Sequence, residues 1–131
     1  VVAAFAKKIA EIEKNKLEPV ITVGNLNSMR DFTDVRDMVK AYSLAIEMGK
    51  PGDVYNLGSG NAYKISDILN KLISFSTKKI KIKVDKKLLR PIDVSELRCD
   101  FGKFNRLTGW KPEIPLKKSL KDTLDYWRNI I

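Results

Sequence analysis

Histidine is absent from this chain of 131 residues, and cysteine occurs once. The first absence removes the commonest general base and the commonest metal ligand. The second excludes an internal disulfide and points to a reducing, cytoplasmic compartment. With no imidazole to activate it, Cys99 reads as a small core residue rather than a nucleophile. No apolar run approaches the roughly 18–20 residues that cross a bilayer, so no membrane partner is expected. The opening Val-Val-Ala-Ala-Phe-Ala-Lys-Lys is too short for a secretory signal, and its charges lie on the wrong side. Acids are outnumbered by bases, 16 to 25, which leaves a net charge of +9. Aromatics are sparse at 8%, and the basic residues are not interleaved with them. That pattern argues against nucleic acid as the partner. A stand-alone basic binding module stays open as an alternative, and its mark would be steeply salt-dependent binding to nucleic acid.

An apolar content of 44% is ordinary for a globular chain and suffices for one domain with one core, residues 1–131. Residues 1–16 read as an amphipathic helix, with Phe5, Ile9 and Ile12 on one face and Pro19 ending it. Val20–Val23 reads as a strand and residues 24–29 as a loop. Thr33 or Asp34 is the expected N-cap of a helix running to Met48. Its apolar residues Val35, Met38, Val39, Tyr42, Ala45 and Ile46 predict a buried face. Gly49-Lys50-Pro51-Gly52 stops it. Residues 53–57 read as a strand, and Ser66 as the cap of the next helix. In the block from Lys78 to Lys87, the alternation puts Ile80, Ile82 and Val84 inward and Lys81 and Lys83 in water. Asp100 begins a short helix that Gly109 closes. A last helix carries Leu116, Leu120, Leu124 and Trp127. The fold class is α/β, with few short strands and several helices. Val1 is not Met and lies inside a helical pattern, so the sequence reads as part of a longer protein. Residues 53–57 look like a strand whose partners are missing, and a bare apolar edge is expected there.

The chemistry concentrates in Arg30-Asp31-Phe32-Thr33-Asp34-Val35-Arg36-Asp37, a strand–loop–helix junction. Asp31, Asp34 and Asp37 at a spacing of three offer a divalent-metal reading, but no second acidic cluster is in register, and helix-start capping explains two of the three. Gly58-Ser59-Gly60 is neither a Walker loop nor a dinucleotide fingerprint, and it reads as a turn. Arg30 and Arg90 are the strongest candidates. Each sits in a loop after an apolar run, and a guanidinium fork matches phosphate as an ammonium cannot. Asp93, three residues after Arg90, can accept both hydroxyls of a ribose diol. The competing reading is structural pairing, Arg30 with Asp34 or Arg90 with Asp93.

Four motifs occur in a set order: the run from Gly24-Asn25-Leu26 through Asp37, then Val54-Tyr55-Asn56-Leu57-Gly58-Ser59-Gly60, then Leu89-Arg90-Pro91-Ile92-Asp93-Val94, then Thr108-Gly109-Trp110-Lys111-Pro112. Together they resemble the C-terminal part of an extended short-chain dehydrogenase/reductase of Rossmann type. Within that group the nearest resemblance is to the enzymes acting on GDP-mannose and its 4-keto-6-deoxy derivative. Thr33 and Asp93 stand where the 4,6-dehydratases usually carry Gly and Glu, which leans toward the reductases.

The resemblance implies a GDP-sugar as ligand. Arg30 and Arg90 match the arginines on the nucleotide diphosphate, and Asp93 matches the carboxylate near the ribose. Asn25 and Leu26 match the loop bordering the nucleotide. Lys7 or Lys8 matches a basic position facing nucleotide or cofactor. The parent is expected to use NAD or NADP and to form a homodimer or homotetramer. The alternatives to a reductase are a GDP-mannose 4,6-dehydratase or another NAD-dependent nucleotide-sugar epimerase or dehydratase. The cofactor fingerprint, the Tyr-x-x-x-Lys pair and the Ser/Thr of the family have no counterpart here. This chain is therefore expected to carry no catalytic residue and no metal, and not to bind a dinucleotide alone.

Overall fold

The computed structural model describes residues 1–89 and 94–131, so Arg90 and Asp93 lie outside the described residues. The elements are α1 (Val2–Glu13), β1 (Val20–Val23), β2 (Met29–Asp31), α2 (Val35–Met48), β3 (Ala62–Lys64), α3 (Ile65–Ile73), β4 (Lys81–Val84), β5 (Glu96–Leu97), α4 (Gly102–Thr108) and α5 (Leu116–Ile130). A 3-10 turn at Lys86–Leu88 follows β4. The chain divides into two units: Val1–Ser28, Lys64–Ser95 and Lys117–Ile131 form the first, and Met29–Tyr63 with Glu96–Leu116 the second.

In the first unit, Ala6, Ile9, Ala10 and Ile12 of α1 are buried, as are Ile65, Ile68, Leu69 and Leu72 of α3, and these two helices pack together. Helix α1 stops at Glu13, well before Pro19. Asn15 takes a positive φ of 57°, and the Asn15 and Lys16 amides close back onto Ile12 and Glu11 carbonyls at 3.0 and 2.9 Å. This is a left-handed C-cap, a conformation Asn tolerates better than most residues. Helix α3 begins one residue earlier than Ser66. Its first amides need no side-chain cap, because Ile65 donates to the Ser28 carbonyl and Ser66 to the Leu26 carbonyl, each at 3.0 Å. Strand β4 pairs parallel to β1, with Val20 opposite Lys81 and Val23 opposite Val84. The expected inward row is not buried: Ile82 and Val84 are exposed, on a ribbon that among the described residues has two strands and gives β4 a single neighbour.

Arg128 of α5 ties the C-terminal end of α1 to the chain just after α3. Its Nε and Nη2 donate to Glu13 Oε2 and Oε1 at 2.7 and 2.8 Å, and Nη2 also reaches the Phe75 carbonyl at 2.8 Å. The arginine hydrogen bond, helped by the Thr77 amide and opposed by burial, holds the Glu13 carboxyl below the usual carboxylate range. Trp127 lies in the same unit, with Lys7 Nζ 5.3 Å from its ring centroid.

The second unit has a sheet in the order β3-β2-β5. Two or three residues per strand leave no alternation to read, so the sequence pattern shows none of them. Its core is Ala41, Phe104 and Trp110, with Leu44, Ala45, Tyr55, Leu57 and Phe101 packed against it. The rings meet edge to face, Phe104 and Trp110 at 5.9 Å and Tyr55 and Phe104 at 5.5 Å, the arrangement aromatic quadrupoles favour. Trp110 Nε1 donates to the Asp37 carbonyl at 3.1 Å.

One expectation fails here. The Val35, Val39, Tyr42 and Ile46 side of α2 is exposed rather than buried, and the helix meets the core through Ala41 and its neighbours. Residues 53–57, read as a strand whose partners are missing, form no ladder among the described residues. Tyr55 and Leu57 point into the aromatic core, while the Val54 amide and carbonyl take the Asp53 carboxylate and Lys103 Nζ at 2.9 Å each.

Candidate functional site

Strand β2 runs parallel to β5, with Met29 opposite Glu96 and Arg30 opposite Leu97. Where β2 ends, the Asp31 carboxylate gathers three segments. Its Oδ1 accepts the Ser59 amide at 2.9 Å and the Ser59 hydroxyl at 2.5 Å. Its Oδ2 accepts the Gly60 amide at 2.9 Å and the Cys99 amide at 3.1 Å. Burial opposes the charge, but the Ser59 hydroxyl and the Ser59, Cys99 and Gly60 amides more than offset it. The carboxyl is held below its ordinary range.

Beside this lock lies a cavity of about 570 Å³, lined by Arg30, Thr33, Met38, Leu57, Arg98 and Asp100 among others. Arg30 Nη1 donates to the Met29 carbonyl at 2.8 Å. Arg98 is held to Glu96 through Nε at 3.0 Å and Nη2 at 2.5 Å. The wall thus mixes two guanidinium groups, hydrogen-bonding polar groups and an apolar floor, a combination suited to a polar ligand with an anionic part.

Arg98 escaped the sequence reading because it belongs to no motif. Only the pairing of β5 with β2 carries it to the cavity wall. Cys99 is also not where composition put it. It is half-buried on the cavity wall rather than in the core. Burial, with the negative charges of Asp31 and Asp100, pushes its thiol up, away from the nucleophilic thiolate.

The other sequence-derived candidates are distributed as follows. Asn25 and Leu26 belong to the first unit, in the loop after β1. Asn25 Nδ2 donates to Ser28 Oγ at 3.0 Å, and its Oδ1 accepts the Asn27 amide at 2.9 Å. Lys7 is on α1, its ammonium over Trp127 and 4.0 Å from Glu11 Oε1. Arg90 and Asp93 lie outside the described residues.

The aspartates of the junction face separate donors. Asp34 caps α2 by accepting the Arg36 amide at 2.9 Å and pairs with the Arg36 guanidinium at 2.8 Å through each oxygen. Asp37, expected as a dipole-complementing residue in the first turn, is buried. Its Oδ2 accepts the Glu113 and Ile114 amides at 3.0 and 2.8 Å. Among the described residues no group of three acidic, Cys or His side chains is arranged to hold a metal ion. Gly58-Ser59-Gly60 does not fit a dinucleotide either. The Ser59 and Gly60 amides that would face a pyrophosphate already serve the Asp31 carboxylate, whose charge would repel one.

The family model described as GDP-mannose 4,6 dehydratase matches residues 1–123. The chain belongs to that family. GDP-6-deoxy-D-mannose reductase of Pseudomonas aeruginosa is 32% identical over 129 residues, which cover 98% of this chain and 42% of the reductase. The structure of RMD from Pseudomonas aeruginosa complexed with NADPH matches with a TM-score of 0.92 at 31% identity, covering 99% of this chain and 43% of that one. UDP-glucose 4-epimerase from Thermotoga maritima, solved with UDP-glucose, matches with a TM-score of 0.83 at 27% identity, covering 98% and 39%. Members of the GDP-mannose 4,6 dehydratase family and their structural neighbours thus confirm the resemblance read from the four motifs. They also confirm the α/β class, with five α-helices and short strands among the described residues. The chain spans less than half the length of these relatives. No helix among the described residues is long and apolar enough to cross a membrane.

Proposed function

We propose that this chain is the nucleotide-sugar-binding part of an NAD(P)-dependent GDP-4-keto-6-deoxy-mannose reductase. The observation that carries the reading is the position of Arg30. It stands on the wall of the 570 Å³ cavity, in a chain whose 32% identity to a GDP-6-deoxy-D-mannose reductase extends over nearly its whole length. Arg30 and Arg90 grip the diphosphate, Asp93 accepts the ribose hydroxyls, and Asn25 and Leu26 border the nucleotide. Lys7 has the least support among these, since its ammonium already lies over Trp127. The dinucleotide and the hydride chemistry belong to residues outside this chain.

The test is calorimetric titration of the chain with GDP, UDP and dTDP. GDP should bind more tightly than the other two. Arg30→Ala should weaken GDP binding by about 10- to 150-fold, the equivalent of a lost charge-assisted hydrogen bond of about 1.5–3 kcal/mol. UDP or dTDP binding as tightly as GDP would move the assignment to an epimerase or another dehydratase. An unchanged GDP affinity in Arg30→Ala would remove Arg30 from the site.

A further inference from the structure

Six lysines crowd the stretch from Lys78 to Lys87, and Asp85 is the one acid among them. An ionised carboxylate only accepts hydrogen bonds, and it repels phosphate. Beside a nucleotide, such a group belongs against the end that carries hydrogen-bond donors.

The fold of the first unit puts Asp85 at a defined rim. Strands β1 and β4 run parallel, with Val23 opposite Val84, so both end on the same side. Ligands of parallel α/β sheets lie outside the carboxyl ends of the strands. The Asp85 amide continues the ladder by donating to the Val23 carbonyl at 2.8 Å. The next residue on β1's side is Gly24, where a Cβ would stand 2.5 Å from the Leu88 carbonyl oxygen. The loop that carries Asn25 and Leu26 therefore starts in contact with the 3-10 turn that Asp85 caps. Val84, Leu88 and Leu89 expose apolar surface next to it.

Asp85 itself is half-buried. Its Oδ1 accepts the Lys87 amide at 2.9 Å. Among the described residues no donor reaches Oδ2. A carboxylate with an open oxygen, bordered by apolar side chains, suits a flat ring with donors along one edge.

We infer that Asp85 selects the base of the nucleotide by accepting the N1–H and N2–H donors of guanine. Guanine carries these donors side by side. Uracil and thymine carry one N–H between two carbonyl oxygens, which a carboxylate repels. Discrimination by a group that must be hydrogen-bonded is far larger than discrimination by apolar fit. The inference rests on the nucleotide-sugar reading and adds to it the residue that chooses the base. The diphosphate held by arginine is common to GDP, UDP and dTDP and chooses nothing.

The experiment is calorimetric titration of the chain with GDP, inosine diphosphate and UDP. Inosine diphosphate lacks the N2 amino group and should bind less tightly than GDP. Asp85→Asn keeps the cap, because Asn caps as well as Asp. With its oxygen on the Lys87 amide, its NH₂ faces the donors of guanine. GDP affinity should fall about 10- to 150-fold, with UDP affinity and the urea midpoint unchanged. Arg30→Ala should instead weaken GDP and UDP alike. A preference for GDP over UDP that survives Asp85→Asn would overturn the inference and leave the nucleotide-sugar reading standing. So would an Asp85→Asn protein that loses GDP and UDP equally, the mark of a structural role. An unmodified chain that binds no GDP, or binds UDP as tightly, would overturn the reading itself and the inference with it.

Discussion

The Cys99 amide donates to Asp31 Oδ2 at 3.1 Å across 68 positions of sequence. That bond fastens the end of β5 to the end of β2, and the remaining lone pairs of Asp31 fasten residues 59 and 60 to the same point. One carboxylate thereby fixes the backbone around the Arg30 cavity.

Asp31→Asn keeps the shape but replaces one acceptor oxygen with a donor, so either the Gly60 and Cys99 amides or the Ser59 amide and hydroxyl face an NH₂. The substitution should cost about 1.5–3 kcal/mol of unfolding free energy, read from urea denaturation. A cost below about 0.5 kcal/mol would mean that the three segments hold together without the carboxylate.

Close approach at the same point makes a second prediction. A methyl group on Gly58 would meet Cys99 Cβ at 2.3 Å and Sγ at 2.8 Å. Gly58→Ala should therefore destabilise the protein by about 1–3 kcal/mol. Adding Cys99→Gly should recover most of that loss, because the two closest atoms are gone and the remaining close contact is Asp31 Oδ2 at 3.1 Å. The double-mutant cycle measures the coupling directly, and additive losses would place the strain elsewhere.

Acid should weaken both units through different residues. Glu13 and Asp31 titrate below their ordinary values of 4.5 and 3.8 in the folded chain. The unfolded chain therefore binds their protons first as pH falls. Their contribution is complete above the ordinary values and is lost as pH drops through the lowered ones. Urea midpoints should fall between pH 6 and pH 3, and Glu13→Gln should flatten part of that slope. A midpoint indifferent to pH over this range would show that neither carboxylate supports the fold as a charge.

Much of the fold can be read from the sequence, and the failures have identifiable causes. Helix α2 carries both its stop at Gly49 and its cap at Asp34 in plain view, because capping is local chemistry. Strands β2, β3 and β5 leave no trace because they are shorter than one readable alternation. The buried role of Asp37 is invisible for another reason: its partners, the Glu113 and Ile114 amides, lie 76 and 77 positions away. At the candidate site, Arg30 was legible as a guanidinium beside a capped helix start. Arg98 was not, since its place on the cavity wall depends on strand pairing. The exposed stripe of α2 misled because periodicity reports that a face is apolar, not what covers it.

The two tryptophans of the chain divide evenly, Trp110 in the second unit and Trp127 in the first. Each indole reports on one half of the molecule alone. Single-tryptophan proteins made by Trp110→Phe and Trp127→Phe would follow the two halves by intrinsic fluorescence in the same denaturant series. Coincident transitions would mark a single cooperative folding unit. Separated ones would mark a chain that melts in two stages, with each carboxylate lock assigned to its own step.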